Sequence, residues 1–277
     1  MEPSTYRLLE YPRLLEFLSK LAVSEGGARA CSEIYPFQDV NELEQEIALL
    51  GQAFEFAPEI LAAISAFPCL EGVNKYLDRE VDNHLLDLDA LWAFKQVLDA
   101  GTLLKSAIWE LDQSTIPLLR DKAELNWPIK LAQALKRCLN TDAQLRDESS
   151  PRLLEVRGKI RNIHKQCTKR VNELLQQDKI SDYLQDEYLT ISSDRYVLAL
   201  KSNFKGRIKG IIHDYSQSGE TCYFEPLQLL EQNNQLQEAK QSEREAEREV
   251  LGYLTGLVLQ EREQLNSLYT WLLYMDV

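Results

Sequence analysis

The residues most able to carry out catalysis stand together near position 215, where histidine, aspartate and serine follow one another. His213 and Asp214 precede Ser216 and Ser218. A Ser-His-Asp hydrolase needs an oriented base and an oxyanion site, and closeness in sequence provides neither. Asp214 and Ser216 can instead cap backbone N–H groups, and Gly219 permits a positive φ. We therefore interpret this segment as a structural turn, and we predict no catalytic residue.

Phosphate-binding and metal-binding patterns are also missing. Gly158-Lys159 is followed by Ile160, and residue 153 is Leu, so the sequence lacks a GxxxxGK[ST] loop. The three histidines, His84, His164 and His213, form no pair at metal-ligand spacing. We therefore predict no metal site and no cofactor in this chain.

The five cysteines indicate a reducing environment. They are scattered, with no CxxC pair, and an odd number cannot all be paired within one chain. They are Cys31, Cys69, Cys138, Cys167 and Cys222. Buried, reduced thiols of a cytoplasmic protein are the expectation. No stretch reaches the roughly 18 apolar residues of a membrane span, and we expect no membrane contact.

The elements that must position these residues are mainly helical. Residues 1–148 show helical spacing of apolar residues broken by Gly and Pro, which predicts a helical domain. Ser150 and Pro151 then predict the start of a long helix within 149–180, since Ser caps a helix and Pro suits its first position. The period changes to short strand-like runs in 181–225. Glu225-Pro226 is interpreted as the start of a returning helix over 226–277, with a bend near Gly252 and Gly256.

This order predicts an α+β fold in which two long helices pack antiparallel and a small antiparallel sheet is inserted between them. The expected strands are Tyr188–Ile191, Tyr196–Leu200, Arg207–Ile212 and Thr221–Phe224. The two helices would hold the sheet away from the helical domain.

The net charge of −13 argues at first against nucleic-acid binding, but the charge is unevenly distributed. Residues 1–148 hold 14 basic and 25 acidic residues, and 214–277 hold 4 and 12. Residues 149–213 hold 13 basic and 7 acidic residues, so the centre is positive. On the outgoing helix, we expect Arg and Lys of 152–170 to pair with the glutamates of 231–249 across the helix–helix seam.

A second basic group lies in the sheet, where no facing acidic helix is expected. Its members are Arg195, Lys201, Lys205, Arg207 and Lys209. They could be a solvated edge that resists strand pairing, or they could contact phosphates.

Several segments together resemble the MutS family. They are Ser150-Pro151 with Arg157, Thr190-Ile191 with Arg195-Tyr-Val-Leu and Lys201, Gly210-Ile-Ile-His-Asp-Tyr-Ser-Gln-Ser-Gly219, Phe224-Glu-Pro226 and Asn233-Asn234. The N-terminal part is similar more loosely, through Ser24-Glu25-Gly26 and Pro36. The family pattern has Gly near 194, where this chain has Asp194. The resemblance implies a core domain (1–148), a two-helix lever (149–180 and 226–277) and a clamp (181–225).

Because the core begins within the first 20 residues, the chain is most similar to the second bacterial branch, MutS type II. That branch is associated with recombination suppression, DNA repair and the rescue of collided ribosomes. The resemblance implies a parent ATPase that uses ATP and Mg in a domain this chain lacks, often with an Smr nuclease domain. The parent would form a homodimer around duplex or branched DNA, or ribosomal RNA.

The chain itself is therefore expected to hydrolyse nothing and to be the arm that contacts nucleic-acid backbone through the five basic clamp residues. The alternative is a structural dimerisation or ribosome-docking module without direct nucleic-acid contact.

Overall fold

The computed structural model describes residues 6, 8–65, 67, 73–77, 85–177, 180–186 and 188–277. Cys69 and His84 lie outside these residues. The fold is α+β and mainly helical, which confirms the predicted class. The chain divides into two units: unit 1 comprises 1–144 with 251–277, and unit 2 comprises 145–250. The finer boundaries at 148, 180 and 225 stay predictions.

Unit 1 is built around one long buried helix. Its helices before the division are α1 (Tyr11–Ser19), α2 (Glu25–Ser32), α3 (Val40–Glu55), α4 (Ala57–Ser65), α5 (Val73–Leu77), α6 (Leu88–Glu110), α7 (Pro117–Lys122) and α8 (Ile129–Cys138). The side chain of Asp87 accepts from the Ala90 amide and so caps α6. Leu91, Phe94 and Leu104 of α6 are fully buried. Helix α6 contacts α4, α5, α7 and α8.

The C-terminal residues complete unit 1. Helix α11 (Arg262–Asp276) also packs against α6 and α2. The Asp276 carboxylate accepts from the Val23 amide (2.8 Å), the Ser24 amide (2.9 Å) and the Ser24 hydroxyl (2.6 Å). Ser24 in turn accepts from the Gly27 amide and caps α2. A Cβ on Gly27 would collide with the Asp276 carboxylate, so this contact explains the small residue in the Ser24–Gly27 segment.

Unit 2 combines two helical segments with a four-stranded sheet. Helix α9 (Pro151–Gln177) is followed by β1 (Thr190–Ser192), β2 (Arg195–Lys201), β3 (Gly210–Tyr215) and β4 (Thr221–Pro226), and then by α10 (Leu230–Gln260), which runs on into unit 1. The strand order is β1-β2-β4-β3, with antiparallel neighbours. The start of α9 is as predicted: the Leu153 amide donates to the Ser150 hydroxyl.

The sheet of unit 2 packs directly against its helices. Its core joins Ile163, Cys167, Val171 and Leu174 of α9 to Tyr196, Leu198, Leu200, Cys222 and Phe224 of the sheet and to Leu236 and Ala239 of α10. Burial of this apolar surface, at about 25 cal/mol per Å², joins the sheet and the two helices into one packed core within unit 2.

Two expected helix features were wrong. The returning helix begins at Leu230, not at Glu225 and Pro226, which end β4 as buried strand residues. The bend expected at Gly252 and Gly256 is replaced by a break at Glu261, whose carboxylate accepts from the Leu131 amide at the start of α8. In both cases a carboxylate near the helix end is bonded to a residue distant in sequence.

Among the described residues, no single helix is long and apolar enough to cross a membrane. Helices α3 and α4 reach that length and apolarity only when taken together across an 86° bend.

We predict that Asp276→Ala lowers the stability of unit 1 by about 1–3 kcal/mol, because three donors near Ser24 lose a charged acceptor. All four tryptophans lie in unit 1, so urea unfolding followed by tryptophan fluorescence reports on it. Glu44→Ala, at an exposed acid of α3, is the control. Equal midpoints for both variants would contradict the role of Asp276.

Candidate functional site

Two arginines of α9 are neutralised across the seam with α10, as predicted. Arg152 pairs with Glu245 (2.9 Å) and with Glu249. Arg157 pairs with Glu243 (3.0 Å) and Glu247 (2.8 Å). These ion pairs fix the register of the two helices more than they add stability.

Arg157 also pairs with Asp147, which precedes α9. Arg157 and Arg161 donate to the Asp147 carboxylate, and the pKa of this carboxyl is held below its ordinary value. Burial raises the pKa of Glu243, but donation from Lys240 and Arg157 outweighs it and lowers that pKa overall. The carboxylates of Asp147 and Glu243 are therefore stabilised in their charged form.

The basic residues in the second half of α9 make weaker contacts than Arg152 and Arg157 do. Lys169 lies 4.0 Å from Glu173, and Arg170 donates to the Gln228 carbonyl. His164 contacts the Tyr196 hydroxyl through Nδ1 (2.9 Å). This histidine serves packing between α9 and β2, and no metal-ligand set surrounds it among the described residues.

Arg195 faces inward, which corrects its placement among the free basic residues. Its side chain is only 17% exposed and pairs with both oxygens of Glu225 (2.9 and 3.2 Å). It also donates to Asn234 and Gln237 of α10. Arg195 therefore does not belong to the sheet tip, for which no facing acidic helix was expected, because the start of β2 lies against α10.

The remaining four basic residues lie at or after the end of β2. Lys201 is half-buried and its ammonium donates to the Asp182 carbonyl (3.3 Å). Lys205, Arg207 and Lys209 are exposed in the connection from β2 to β3. None of these three makes an ion pair within 4.0 Å of another described residue. We call this segment, residues 202–209, the tip.

The tip is anchored through Ser202 and Phe204, so the side chains of its basic residues are not needed for this anchoring. Ser202 donates through its amide to the Glu220 carbonyl (2.9 Å) and through its hydroxyl to the Gly219 carbonyl (2.6 Å). The Phe204 ring packs against the Tyr183 ring, with centroids 4.7 Å apart. The strand expected over Arg207–Ile212 begins only at Gly210, which places Arg207 and Lys209 in the connection.

The segment interpreted as a turn is partly strand. His213 and Asp214 belong to β3, where the pairing with β4 shifts register between Ile212 and Asp214. His213 Nε2 lies 2.5 Å from Glu225. In the described residues His213 bonds to no serine, so the groups do not form a triad.

The turn itself lies at residues 216–219. The Gly219 amide donates to the Ser216 carbonyl, and Gly219 has φ 72°. The Ser216 hydroxyl accepts from the Thr221 amide and lies 3.3 Å from the Ser218 hydroxyl. The capping role predicted for Ser216 and the positive φ predicted for Gly219 are therefore present.

Glu225 is the residue whose role sequence reasoning missed. Its side chain is fully buried (0% exposed) and is held by Arg195, His213 and Asn233. Asn233 also clamps the Tyr196 backbone, donating to its carbonyl (2.9 Å) and accepting from its amide (2.8 Å). The available signal was the pair of segments Phe224-Glu-Pro226 and Asn233-Asn234, which place a carboxylate and an amide eight residues apart.

The thiols show no sign of nucleophilic activation. Cys31, Cys138, Cys167 and Cys222 are buried and unpaired. Burial raises the pKa of Cys167 to about 11 and also raises that of Cys222, although Lys205 counteracts it slightly. A nucleophile needs a lowered thiol pKa, so Cys167 and Cys222 are packing residues.

Comparison with known proteins gives consistent relatives. The chain is 43% identical to Endonuclease MutS2 of Maridesulfovibrio salexigens over 278 residues, matching all of this chain and 36% of that protein. It is also 43% identical to Endonuclease MutS2 of Solidesulfovibrio magneticus, matching all of this chain and 35% of that protein. Endonuclease MutS2 of a Synechocystis species is 30% identical over 95% of the chain.

These relatives confirm the resemblance to the MutS type II branch. The chain spans about a third of the length of the curated relatives it matches. No protein-family model matches it.

We predict that Glu225→Gln destabilises unit 2 by about 3–5 kcal/mol, because Arg195 is left without its anionic partner. Amide hydrogen exchange in β2 and β4 should accelerate accordingly. Glu220→Gln, at an exposed position in the connection just before β4, is the control. Unchanged exchange in the Glu225 variant would show that the buried carboxylate is dispensable.

A second prediction concerns acid. A carboxyl whose folded pKa is lowered adds stability above its unfolded pKa, about 3.9 for Asp, and loses it as the pH falls through the folded value. We expect wild type to be more stable than Asp147→Asn at pH 6 and the difference to shrink as the pH falls below about 3.9, toward the lowered folded pKa of Asp147. Urea unfolding followed by far-UV circular dichroism measures this. A difference independent of pH would exclude the ionised form as its source.

Proposed function

We propose that this chain, which matches MutS2 endonucleases over its whole length, is a non-catalytic region of a MutS2-like protein and that its tip contacts nucleic-acid phosphates. The observation that carries the proposal is the contrast in charge within unit 2. The arginines on the seam are paired with glutamates. Lys205, Arg207 and Lys209 are exposed and have no such partner among the described residues.

The chemistry of the tip suits backbone contact without sequence readout. Lys and Arg on an exposed connection reach phosphate oxygens, and such contacts position a protein without specifying a sequence. Three contacts in a chain of net charge −13 would give weak, salt-sensitive binding. Duplex or branched DNA and ribosomal RNA present the same phosphate chemistry, and either could be the physiological target.

Nucleotide hydrolysis is assigned elsewhere in the parent. Gly158 and Lys159 lie inside helix α9 rather than in a loop, so they cannot cradle a phosphate through backbone N–H groups. Gly158 and Lys159 therefore do not fit the phosphates of ATP. ATP and Mg, the homodimer, and a role in recombination suppression, DNA repair or ribosome rescue remain proposals for the whole protein.

The test is binding of labelled duplex and branched DNA to the chain at several salt concentrations, followed by fluorescence anisotropy. We expect weak binding, and Lys205→Ala/Arg207→Ala/Lys209→Ala should weaken it further. If all three residues contact phosphates, the slope of log K against log salt should fall by about 2.7.

A matched control removes three other exposed positive charges, in unit 1: Lys20→Ala/Lys130→Ala/Lys136→Ala. This variant should bind almost as well as wild type. Equal losses of DNA affinity in both variants would show that the effect depends on net charge and not on the tip. No effect of the tip variant would favour a docking or dimerisation module without nucleic-acid contact.

A further inference from the structure

Unit 1 contains a lysine held between two tryptophan rings. The Lys105 ammonium lies 5.1 Å from the ring centroid of Trp109 and 5.1 Å from that of Trp127. Lys105 is half-buried and forms no ion pair within 4.0 Å of another described residue. In contrast, Lys95 on the same helix lies 4.9 Å from Trp92 but pairs with Asp99. The Lys105 ammonium is therefore held by ring contacts rather than by a carboxylate of the described residues.

The two rings line a cleft on one face of α6. Thr102, Lys105, Ser106 and Trp109 follow one another at helical spacing, and Trp127 and Ile129 close the other side. The cleft has a volume of about 440 Å³, within the range of small-molecule sites. Trp109 is 38% exposed and Ile129 is 56% exposed, so the apolar lining is open to solvent.

Both tryptophans are fixed by contacts other than the one with Lys105. Arg120 lies over the Trp109 ring (5.4 Å) and donates to the carbonyls of Trp109 (3.0 Å) and Leu111 (2.8 Å). The Trp127 indole lies against Gly101, where a Cβ would come within 2.9 Å of its Cη2 atom. The rings are therefore in place before any ligand arrives, which lowers the entropy cost of binding.

The groups in the cleft select the chemistry of a ligand. Two indole faces stack on planar aromatic rings, and stacking of a base on an aromatic side chain is sequence-tolerant. Aromatic pairs also bind organic cations, but here the Lys105 charge already occupies that position and would repel a second one. The Lys105 ammonium and the Ser106 hydroxyl are suited to an anionic group.

We propose that this cleft binds a nucleotide, with the base stacked on Trp109 and Trp127 and the phosphate paired with Lys105. The lysine stem is about as thick as an aromatic ring, so its movement toward the phosphate leaves space for the base. The nucleotide can be free or can be an unpaired nucleotide of a strand, because both present the same ring and phosphate. The site is in unit 1 and does not depend on the tip.

Tryptophan fluorescence of the chain provides the test, with adenosine monophosphate, adenosine and inorganic phosphate as probes. We expect adenosine monophosphate to quench the fluorescence at millimolar concentration, adenosine to bind more weakly, and phosphate alone to have no effect. Lys105→Met keeps the stem and removes the charge, and it should weaken binding of the monophosphate roughly tenfold. It should leave adenosine binding nearly unchanged.

Two further arms identify the source of the nucleotide. An oligo-dA strand that quenches where an abasic strand of equal length does not would indicate an unpaired base, and quenching by the monophosphate alone would indicate a free nucleotide. The strands are also titrated into the tip variant Lys205→Ala/Arg207→Ala/Lys209→Ala, where quenching should persist. This experiment distinguishes an error in the proposed nucleotide site from an error in the proposed phosphate contact of the tip.

Trp92→Phe, outside the cleft, is the control and should retain binding. Trp127→Leu, which removes the aromatic ring, should lose binding as measured by calorimetry, with urea unfolding showing that the variant folds. Lys105→Gln replaces Lys105→Met if the latter is unstable. No response to either the monophosphate or oligo-dA would overturn the proposal, as would equal binding by wild type and the lysine variant.

Discussion

The buried carboxylate of Glu225 sets the arrangement of unit 2, since a charge removed from water must be surrounded by partners. Leaving such a group unpaired costs several kcal/mol. Its partners come from three parts of the chain: Arg195 from the start of β2, His213 from β3 and Asn233 from α10. Satisfying one carboxylate therefore joins three strands to a helix, and the bonds from Asn233 to the Tyr196 backbone extend the same constraint into the core.

Positive charge in unit 2 has two separate uses. Arg152 and Arg157 hold two helices in register, and Arg195 neutralises Glu225. The charges of all three arginines are therefore paired with carboxylates of unit 2. The tip keeps its charges because it is anchored by backbone bonds from Ser202 and by ring packing of Phe204. A net charge of −13 thus conceals a small surface whose cations remain available.

The sequence was informative where structure depends on neighbours along the chain. Ser150-Pro151 predicted the start of α9, the change of period predicted the sheet, and the opposite charges of two helices predicted their pairing. It failed where a side chain has a distant partner. The local sequence predicts a helix start at Glu225, because Glu-Pro suits that position. The residue that actually binds the Glu225 carboxylate, Arg195, is 30 residues away. The sequence locates the basic residues of the tip, but it holds no signal that identifies a phosphate bound to them.

Asp194, in the turn between β1 and β2, is another residue whose partner lies far away in the sequence. It has φ 60° and follows Ser193 with φ 50°, which is the left-handed backbone that glycine adopts most easily. The local rule favours glycine, as in the family pattern. Here the Asp194 carboxylate accepts from Arg244 of α10 (2.7 Å), which offsets part of the strain.

The contact between Asp276 and Ser24 has a consequence for the order in which the chain folds during translation. Every contact within unit 2 joins residues between 145 and 250, so this unit is complete once its last residue has emerged. Unit 1 is discontinuous: its N-terminal helices are synthesised first, but the carboxylate that binds the start of α2 arrives about 250 residues later. Within this segment, the helices of unit 1 that are made first therefore gain this contact only after unit 2 has been made, and their apolar surface stays exposed to solvent until then.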